Sequence, residues 1–295
     1  MDVSIVIINY NTFELTCKCI RSVMQHTKGV SYEIILVDNA STERDTDSFL
    51  NEFPAIRLIK SKENTGFTGG NNLGIKYATA PYILLLNSDT ELTEDSIAIC
   101  YEVIRQDNSI GVITCKLLSP NGKVQKQCLR FPSIMLALIE MFRLHKLISQ
   151  PKRGALMSGG FFDHLSSMYV DSVWGTFFMF PTTVLERFPD KKLPGSFFMY
   201  SEDLEWCYAI KKMGYKIYYN ASTSIIHYFG ASSKSSVMHF KHKNEYDFVV
   251  KNYGWLYAKV LVFIRALLYA TKMFSTQYAK EVSRIYFKLF FSGNL

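Results

Sequence analysis

A chain of 295 residues, 48% of them hydrophobic, suits one large α/β domain or a domain with an appendage, and it can bury a core without disulfide staples. Cys17, Cys19, Cys100, Cys115, Cys128 and Cys207 form no CxxC pair and no metal-ligand spacing, which argues against a zinc or disulfide scaffold and for buried thiols in a reducing compartment. The net charge of +7 is concentrated in residues 241–295, where nine Lys and Arg stand against three acids, so a nearly neutral body carries a basic tail suited to an anionic partner.

The opening MDVSIVIINYN has no basic leader region and sets a strand where a signal peptide needs a longer apolar core, so a cytosolic enzyme is expected. Residues 3–8, 33–37, 56–60 and 82–86 are short, apolar and β-branched, and read as strands buried on both faces. Helix-like stretches at 12–27, 42–53 and 67–79 lie between them, which predicts right-handed βαβ units and a parallel sheet. Such sheets bind ligands beyond the carboxyl ends of their strands. Here those ends are Asn9-Tyr10-Asn11, Asp38-Asn39, residues 61–64 and Asn87-Ser88-Asp89, all polar. Strands often end in turn residues, but four polar ends on one edge also make a cleft.

Beyond residue 110 the alternation weakens. Residues 111–118 read as a strand, Ser119-Pro120-Asn121-Gly122 as a turn, 134–148 as one amphipathic helix and 151–160 as a loop. Residues 174–180 read as a buried strand, 201–213 as a helix closed by Gly214 in a left-handed cap, and 215–219 and 224–228 as two further strands. No internal repeat or low-complexity linker is present, and 119–170 holds no recognisable motif.

Four stretches can carry chemistry. Asn87 and Asp89 lie two apart and face one way on an extended chain, so Asp89 either starts a turn or holds a divalent cation beside ligand phosphates. In Ser201-Glu202-Asp203-Leu204-Glu205 the Ser is placed to cap a helix and the acids to complement its dipole, or one carboxylate of the Glu-Asp pair serves as a general base. His227 ends a strand, where one His can join one Asp at a metal or can be purely structural. The segment 64–72, NTGFTGGNN, places glycines before a helix N-terminus, yet its spacing is neither GxGxxG nor a P-loop, which disfavours a dinucleotide or P-loop site.

The order VSIVIINYN, VDNAST, NTGFTGGNN, LLLNSDTEL, WGTFFMF, FFMYSEDLEWCYAIKKMGY and IIHYFGAS resembles the family 2 glycosyltransferases of GT-A fold, especially their rhamnosyltransferase-like bacterial branch, from residue 2 to about 233. The resemblance implies a Rossmann-like, mainly parallel sheet flanked by helices. It implies that Asp89 matches the last Asp of a DxD motif, with Asn87 in place of the first, holding Mn2+ or Mg2+ on the donor diphosphate. Asp38 and Asn39 match the pair near the nucleotide base, with Tyr10 beside it. Gly66, Phe67, Gly70 and Asn71 match the loop lining the donor cleft. Asp203 matches the general base of inverting members, with Glu202 as its partner in the pair, and His227 matches a histidine that reaches the metal or diphosphate.

In the tail, a wheel of roughly 100° per residue places Lys251, Lys259, Arg265, Lys272, Lys280, Arg284 and Lys288 within an arc of about 160°. Leu261, Phe263, Leu267 and Leu268 lie outside that arc, as in a basic amphipathic helix in a membrane interface, or in a helix packed on the domain or a second subunit. No charge-free run is long enough to span a bilayer, and no nucleic-acid motif accompanies the charge.

The expectation is therefore a glycosyltransferase domain at 1–240, with a nucleotide-sugar half at 1–118 and an acceptor half at 119–240, followed by a helical extension at 241–295. It would be a metal-dependent, inverting transferase using a dTDP- or UDP-sugar to extend a surface polysaccharide or lipid-linked oligosaccharide on the inner face of the cell membrane, with a homodimer as one arrangement of the tail. Transfer to a polyprenyl phosphate, and a catalytically silent nucleotide-sugar scaffold, are the alternatives.

Overall fold

The apolar runs assemble into one nine-stranded sheet in the computed structural model, which describes residues 1–228, 237–273 and 276–294. In chain order the strands are β1 (Val3–Asn9), β2 (Tyr32–Asp38), β3 (Arg57–Lys60), β4 (Tyr82–Asn87), β5 (Thr90–Leu92), β6 (Ile110–Leu118), β7 (Met168–Val170), β8 (Phe177–Pro181) and β9 (Lys216–His227). The helices are α1 (Phe13–His26), α2 (Ser48–Glu52), α3 (Gly66–Ile75), α4 (Ser96–Gln106), α5 (Ile134–Met141), α6 (Gln150–Met157), α7 (Thr182–Leu185), α8 (Glu202–Lys212), α9 (Val237–Tyr253), α10 (Trp255–Ala270) and α11 (Gln277–Ser292). The chain divides into two compact units, Met1–Leu129 with Asp163–Ser232, and Arg130–Phe162 with Ser233–Leu295.

The first unit holds the whole sheet, in the order β3-β2-β1-β4-β8-β6-β9-β5, with β7 on β9. β1 pairs in parallel with β2 and β4, and β6 with β9, whereas β8 runs antiparallel to both β4 and β6. Two reversals restore direction, so β1, β2, β4, β6 and β9 all end on one edge. Both faces are buried because successive side chains alternate: Ile5, Ile7, Leu84 and Leu86 join one core with Phe13, Cys17 and Ile20 of α1 and Ile97, Cys100 and Ile104 of α4. On the other face Gly74 of α3 sits so close that an added Cβ would stand 2.4 Å from Val6 Cγ1. All six thiols are free and buried.

The differences from the sequence reading have local causes. Only Ser48–Glu52 of the expected helix at 42–53 forms, because Asp45 accepts a hydrogen bond from the Asp47 amide and turns the chain there. α4 carries a signal the reading passed over, an Asp95 side chain that accepts from the Ala98 amide. The strands expected at 215–219 and 224–228 are one strand, β9, whose ladder with β6 absorbs a register shift between Cys115 and Lys116. Residues 151–160 are not a loop: α6 begins with Pro151 in its first turn, where a missing N–H is harmless. Gly214 does close α8 with a positive φ of 93°.

In the second unit α10 packs on α11, α5 and α9. The tail is not one amphipathic helix. Gly254, with φ of 93°, separates α9 from α10, and Thr276 starts α11 by accepting from the Ala279 amide. The wheel therefore does not continue across these breaks. Lys259 is buried and donates to the Leu289 and Phe290 carbonyls at the end of α11, where a cation meets the negative end of a helix dipole. Arg265 pairs with Glu245 at 2.9 Å. Burial pushes the Glu245 carboxyl up, but Arg265 together with His242 and Lys241 holds the group below its usual value. Leu261, Val262 and Leu268 lie in the interior of this unit, whereas Phe263 and Leu267 remain exposed. Among the described residues no helix is long and apolar enough to cross a membrane.

Candidate active site

The carboxyl edge of the sheet gathers most of the residues singled out from sequence. At the ends of β1 and β2, Asn9 and Asp38 are register partners, and Asn9 Nδ2 donates to Asp38 Oδ1 at 2.8 Å. Asp38 Oδ2 accepts from the Ser41 amide at 3.1 Å, so its carboxylate is buried but ordered by donors. Tyr10 is 45% exposed on this edge, next to Asn11, whose left-handed backbone (φ 53°) lets its side chain accept from the Thr42 amide. Asn39 turns inward. Its Oδ1 accepts from both the amide and hydroxyl of Thr65, and its Nδ2 donates to Asn64 Oδ1 and the Gly66 carbonyl. It holds the glycine loop in place.

Gly66 starts α3 with φ of 73°, and a Cβ there would lie 2.4 Å from the Phe198 carbonyl oxygen. The Phe67 amide donates to that same oxygen at 3.0 Å, and the Phe67 ring stacks on Trp206 at 5.8 Å. Gly70 faces Ile8 and Asn39, and Asn71 is buried with its Nδ2 donating to the Phe67 carbonyl. Asn72, given no role from sequence, exchanges two hydrogen bonds of 2.9 Å with the backbone of Leu193.

Three carboxylates of α8, those of Glu202, Asp203 and Glu205, stand at its first turn. Ser201 does not cap this helix with its side chain; it and Tyr200 have left-handed backbones, with φ of 72° and 67°. Two consecutive non-glycine residues in that region store roughly 1–2 kcal/mol each, a strain typical of functional turns. The segment is held by Glu205, which accepts from the Ser196 amide at 3.1 Å and hydroxyl at 2.6 Å. Glu202 is buried and its Oε2 has no hydrogen-bond partner. Burial first, and the neighbouring charge of Asp203 second, push its carboxyl up to about 8. Asp203 is half-buried, with Oδ1 accepting from the Leu204 amide at 2.7 Å.

At the ends of β4 and β9, Asp89 and His227 meet, with Oδ1 and Nε2 3.5 Å apart and both residues buried. Asn87 lies just before them, and its Oδ1 is a buried acceptor without a hydrogen-bond partner. His227 is gripped from the other side by Gln125, which nothing in the sequence marked. Trp174 packs against the His227 ring at 6.4 Å. Ser119, Gln125, Lys126, Trp174, His227 and Tyr228 line a pocket of about 360 Å3 there, and Phe229 and Gly230 of the motif lie outside the described residues.

A divalent ion fits this donor set. A carboxylate and an imidazole bound to one ion at about 2.1 Å each stand roughly 3–3.5 Å apart, which is the observed spacing, and the orphaned Asn87 oxygen is a further hard donor. Among the described residues no group of three or more His, Cys, Asp or Glu side chains converges on one point. The remaining ligands would have to be phosphate and water.

A family model described as "Glycosyl transferase family 2" matches residues 4–162. Over 223 residues the chain is 29% identical to the low-salt glycan biosynthesis hexosyltransferase Agl10 of Haloferax volcanii, covering 72% of this chain and 62% of that protein. It is 28% identical over 114 residues to the glycosyltransferase GlyG of Streptococcus pneumoniae, covering 38% of each. It is 30% identical over 128 residues to the poly(ribitol-phosphate) beta-glucosyltransferase of Bacillus spizizenii, covering 42% of this chain and 20% of that one. The chain thus spans less than two thirds of the length of each of these relatives.

Proposed function

The chain belongs to glycosyl transferase family 2 and has its GT-A fold, and from that premise we propose that it moves a sugar from a nucleotide-diphospho-sugar to an acceptor hydroxyl with inversion, in the synthesis of a surface polysaccharide or lipid-linked oligosaccharide. The observation that carries the reading is the meeting of Asp89 and His227 at the carboxyl edge of the sheet, beside the orphaned Asn87 oxygen. Asp89, His227 and Asn87 would hold Mn2+ or Mg2+, which when bound offsets the charge of the departing diphosphate.

The chain's own groups do the rest. Asp38 and Tyr10 stand where a uracil or thymine nucleoside of the donor would lie, and Gly66 and Phe67 shape the wall beside it. Asp203 accepts the proton of the attacking hydroxyl. Glu202, uncharged at neutral pH because of its burial, leaves Asp203 the single anion of the pair. One base and one displacement invert the anomeric centre. The order of the motifs supports the rhamnosyltransferase-like branch. The direct test is a panel of dTDP- and UDP-sugars screened by thermal shift with manganese, then transfer assayed with Asp203→Asn; substantial turnover by that variant refutes the assignment.

The surface partner we propose is an anionic membrane, bound by the second unit. That unit holds fifteen Lys and Arg against four Asp and Glu, whereas the first unit has an excess of acids. On α10, Leu256, Val260, Phe263 and Leu267 form one exposed apolar stripe at helical spacing. Phe263 packs at a tilt against Phe290, which touches the exposed Phe291, and α11 presents Arg284 and Lys288 one turn apart. Apolar side chains flanked by cations suit the lipid interface. Such docking would place the enzyme on the inner face of the cell membrane, beside a lipid-linked acceptor.

A further inference from the structure

We propose that Gln125 is a positioning residue that sets the ring of His227 with its Nε2 lone pair toward Asp89, an inference that rests on the metal-assisted reading above. The orientation of the amide follows from its partners. Gln125 Nε2 donates to the His227 carbonyl at 2.9 Å and to Ser119 Oγ at 3.3 Å. A carbonyl cannot donate, so the amide cannot be flipped without leaving two oxygens face to face. Its Oε1 therefore meets His227 Nδ1, at 2.6 Å. An amide oxygen only accepts, so Nδ1 carries the hydrogen.

In the neutral ring Nε2 is then the acceptor, and it faces Asp89 Oδ1 across 3.5 Å. Two lone-pair atoms at that distance repel unless a cation or a proton lies between them. Gln125 makes the first arrangement available at neutral pH, as the partner of a metal-ligating histidine does by holding the other ring nitrogen. The backbone delivers the amide to this point. After the turn at Ser119–Gly122 the chain folds back, with Leu118 bridged to Val124 and the Gln125 amide donating to the Leu117 carbonyl at 2.9 Å. Trp174 packs edge-on against the ring from another side, with centroids 6.4 Å apart.

The test uses the full chain with Gln125→Ala, Gln125→Glu and, as control for the parent reading, Asp89→Ala. Affinity for manganese alone is read by water-proton relaxation, and the His227 tautomer of the metal-free protein by long-range 1H–15N spectra, with His227→Asn to assign the ring. Gln125→Ala should mix the two tautomers and weaken manganese binding about tenfold or more. Gln125→Glu still offers an oxygen to Nδ1 and should keep the tautomer, although its second oxygen faces the His227 carbonyl in place of the Nε2 donor. Unchanged affinity in Gln125→Ala, with Asp89→Ala impaired, overturns the proposal and leaves Gln125 a clasp between a loop and β9. The same holds if Gln125→Glu mixes the tautomers as Gln125→Ala does. If Asp89→Ala also binds like the parent, the metal reading itself fails and takes this one with it.

Discussion

Thr90 and His227 are register partners in the antiparallel β5–β9 ladder, and the Tyr228 amide donates to the Asp89 carbonyl at 2.9 Å. That ladder brings the end of a strand late in the chain against the turn that follows β4. Backbone pairing, rather than a side-chain contact, therefore sets the spacing of the two candidate ligands.

If Asp89 and His227 act on one ion, their losses should not add. Asp89→Ala and His227→Ala should each weaken manganese-dependent binding of a nucleoside diphosphate at least tenfold, about 1.4 kcal/mol. The double variant should cost little more than the worse single one. Calorimetry with and without manganese reads this. Additive losses would mean that the residues contribute separately, and the shared-ion reading would be dropped.

The Glu202 and Asp203 carboxylates should separate in kinetics. Asp203→Asn should lower turnover by roughly 10²–10⁴-fold while donor affinity stays within about twofold. Glu202→Gln replaces a group that burial already keeps protonated at neutral pH, so its turnover should fall by less than about tenfold. The reverse ranking would make Glu202 the base.

Much of this edge was legible in sequence because it depends on chain order. Polar residues closing apolar strands announced Asp38, Asn87 and Asp89, and parallel topology dictates that such ends share an edge. The partners of Asn39 and Asn71 were harder to read, since a side-chain amide can face ligand or loop with the same local sequence. Gln125 was illegible because its partner, His227, is set by a long-range ladder and no spacing encodes it. The tail misled for a related reason. A helical wheel assumes one unbroken helix, and with breaks at Gly254 and after Ala270 Lys259 and Arg265 instead face inward, as a cap and an ion pair of a helical unit.

Glu202 also predicts how stability follows pH. Its folded carboxyl titrates near 8, against 4.5 ordinarily, so the folded state holds a proton that the unfolded chain has released. The favourable contribution is complete below about pH 4.5 and disappears as pH rises through about 8. Glu202→Gln abolishes this dependence, so the melting temperature of the variant relative to the parent should increase steadily between pH 5 and 8.5. A constant difference across that range would mean that Glu202 is ionised in the folded protein.

Gly66→Ala tests whether the glycine loop is a fold element before it is a ligand wall. The left-handed backbone and the Phe198 carbonyl both oppose a Cβ there, so roughly 1 kcal/mol or more of stability should be lost, lowering the melting temperature by a few degrees. Donor affinity should fall with it, because the same carbonyl holds Phe67. A variant as stable as the parent would contradict this close packing of Gly66 on Phe198.

The charged and apolar faces of the second unit make separable predictions. Arg284→Glu with Lys288→Glu reverses two exposed cations without touching the interior, and at about 1 kcal/mol per surface charge it should weaken binding to phosphatidylglycerol vesicles at least tenfold. Raising the salt should imitate it. Leu256→Ser with Phe263→Ser should weaken binding at any salt, since it removes the inserted apolar area. Cosedimentation with anionic and with phosphatidylcholine vesicles measures both, while light scattering follows the mass in solution. If the serine variant changes that mass and leaves vesicle binding intact, the stripe on α10 is a subunit interface and the membrane contact lies elsewhere.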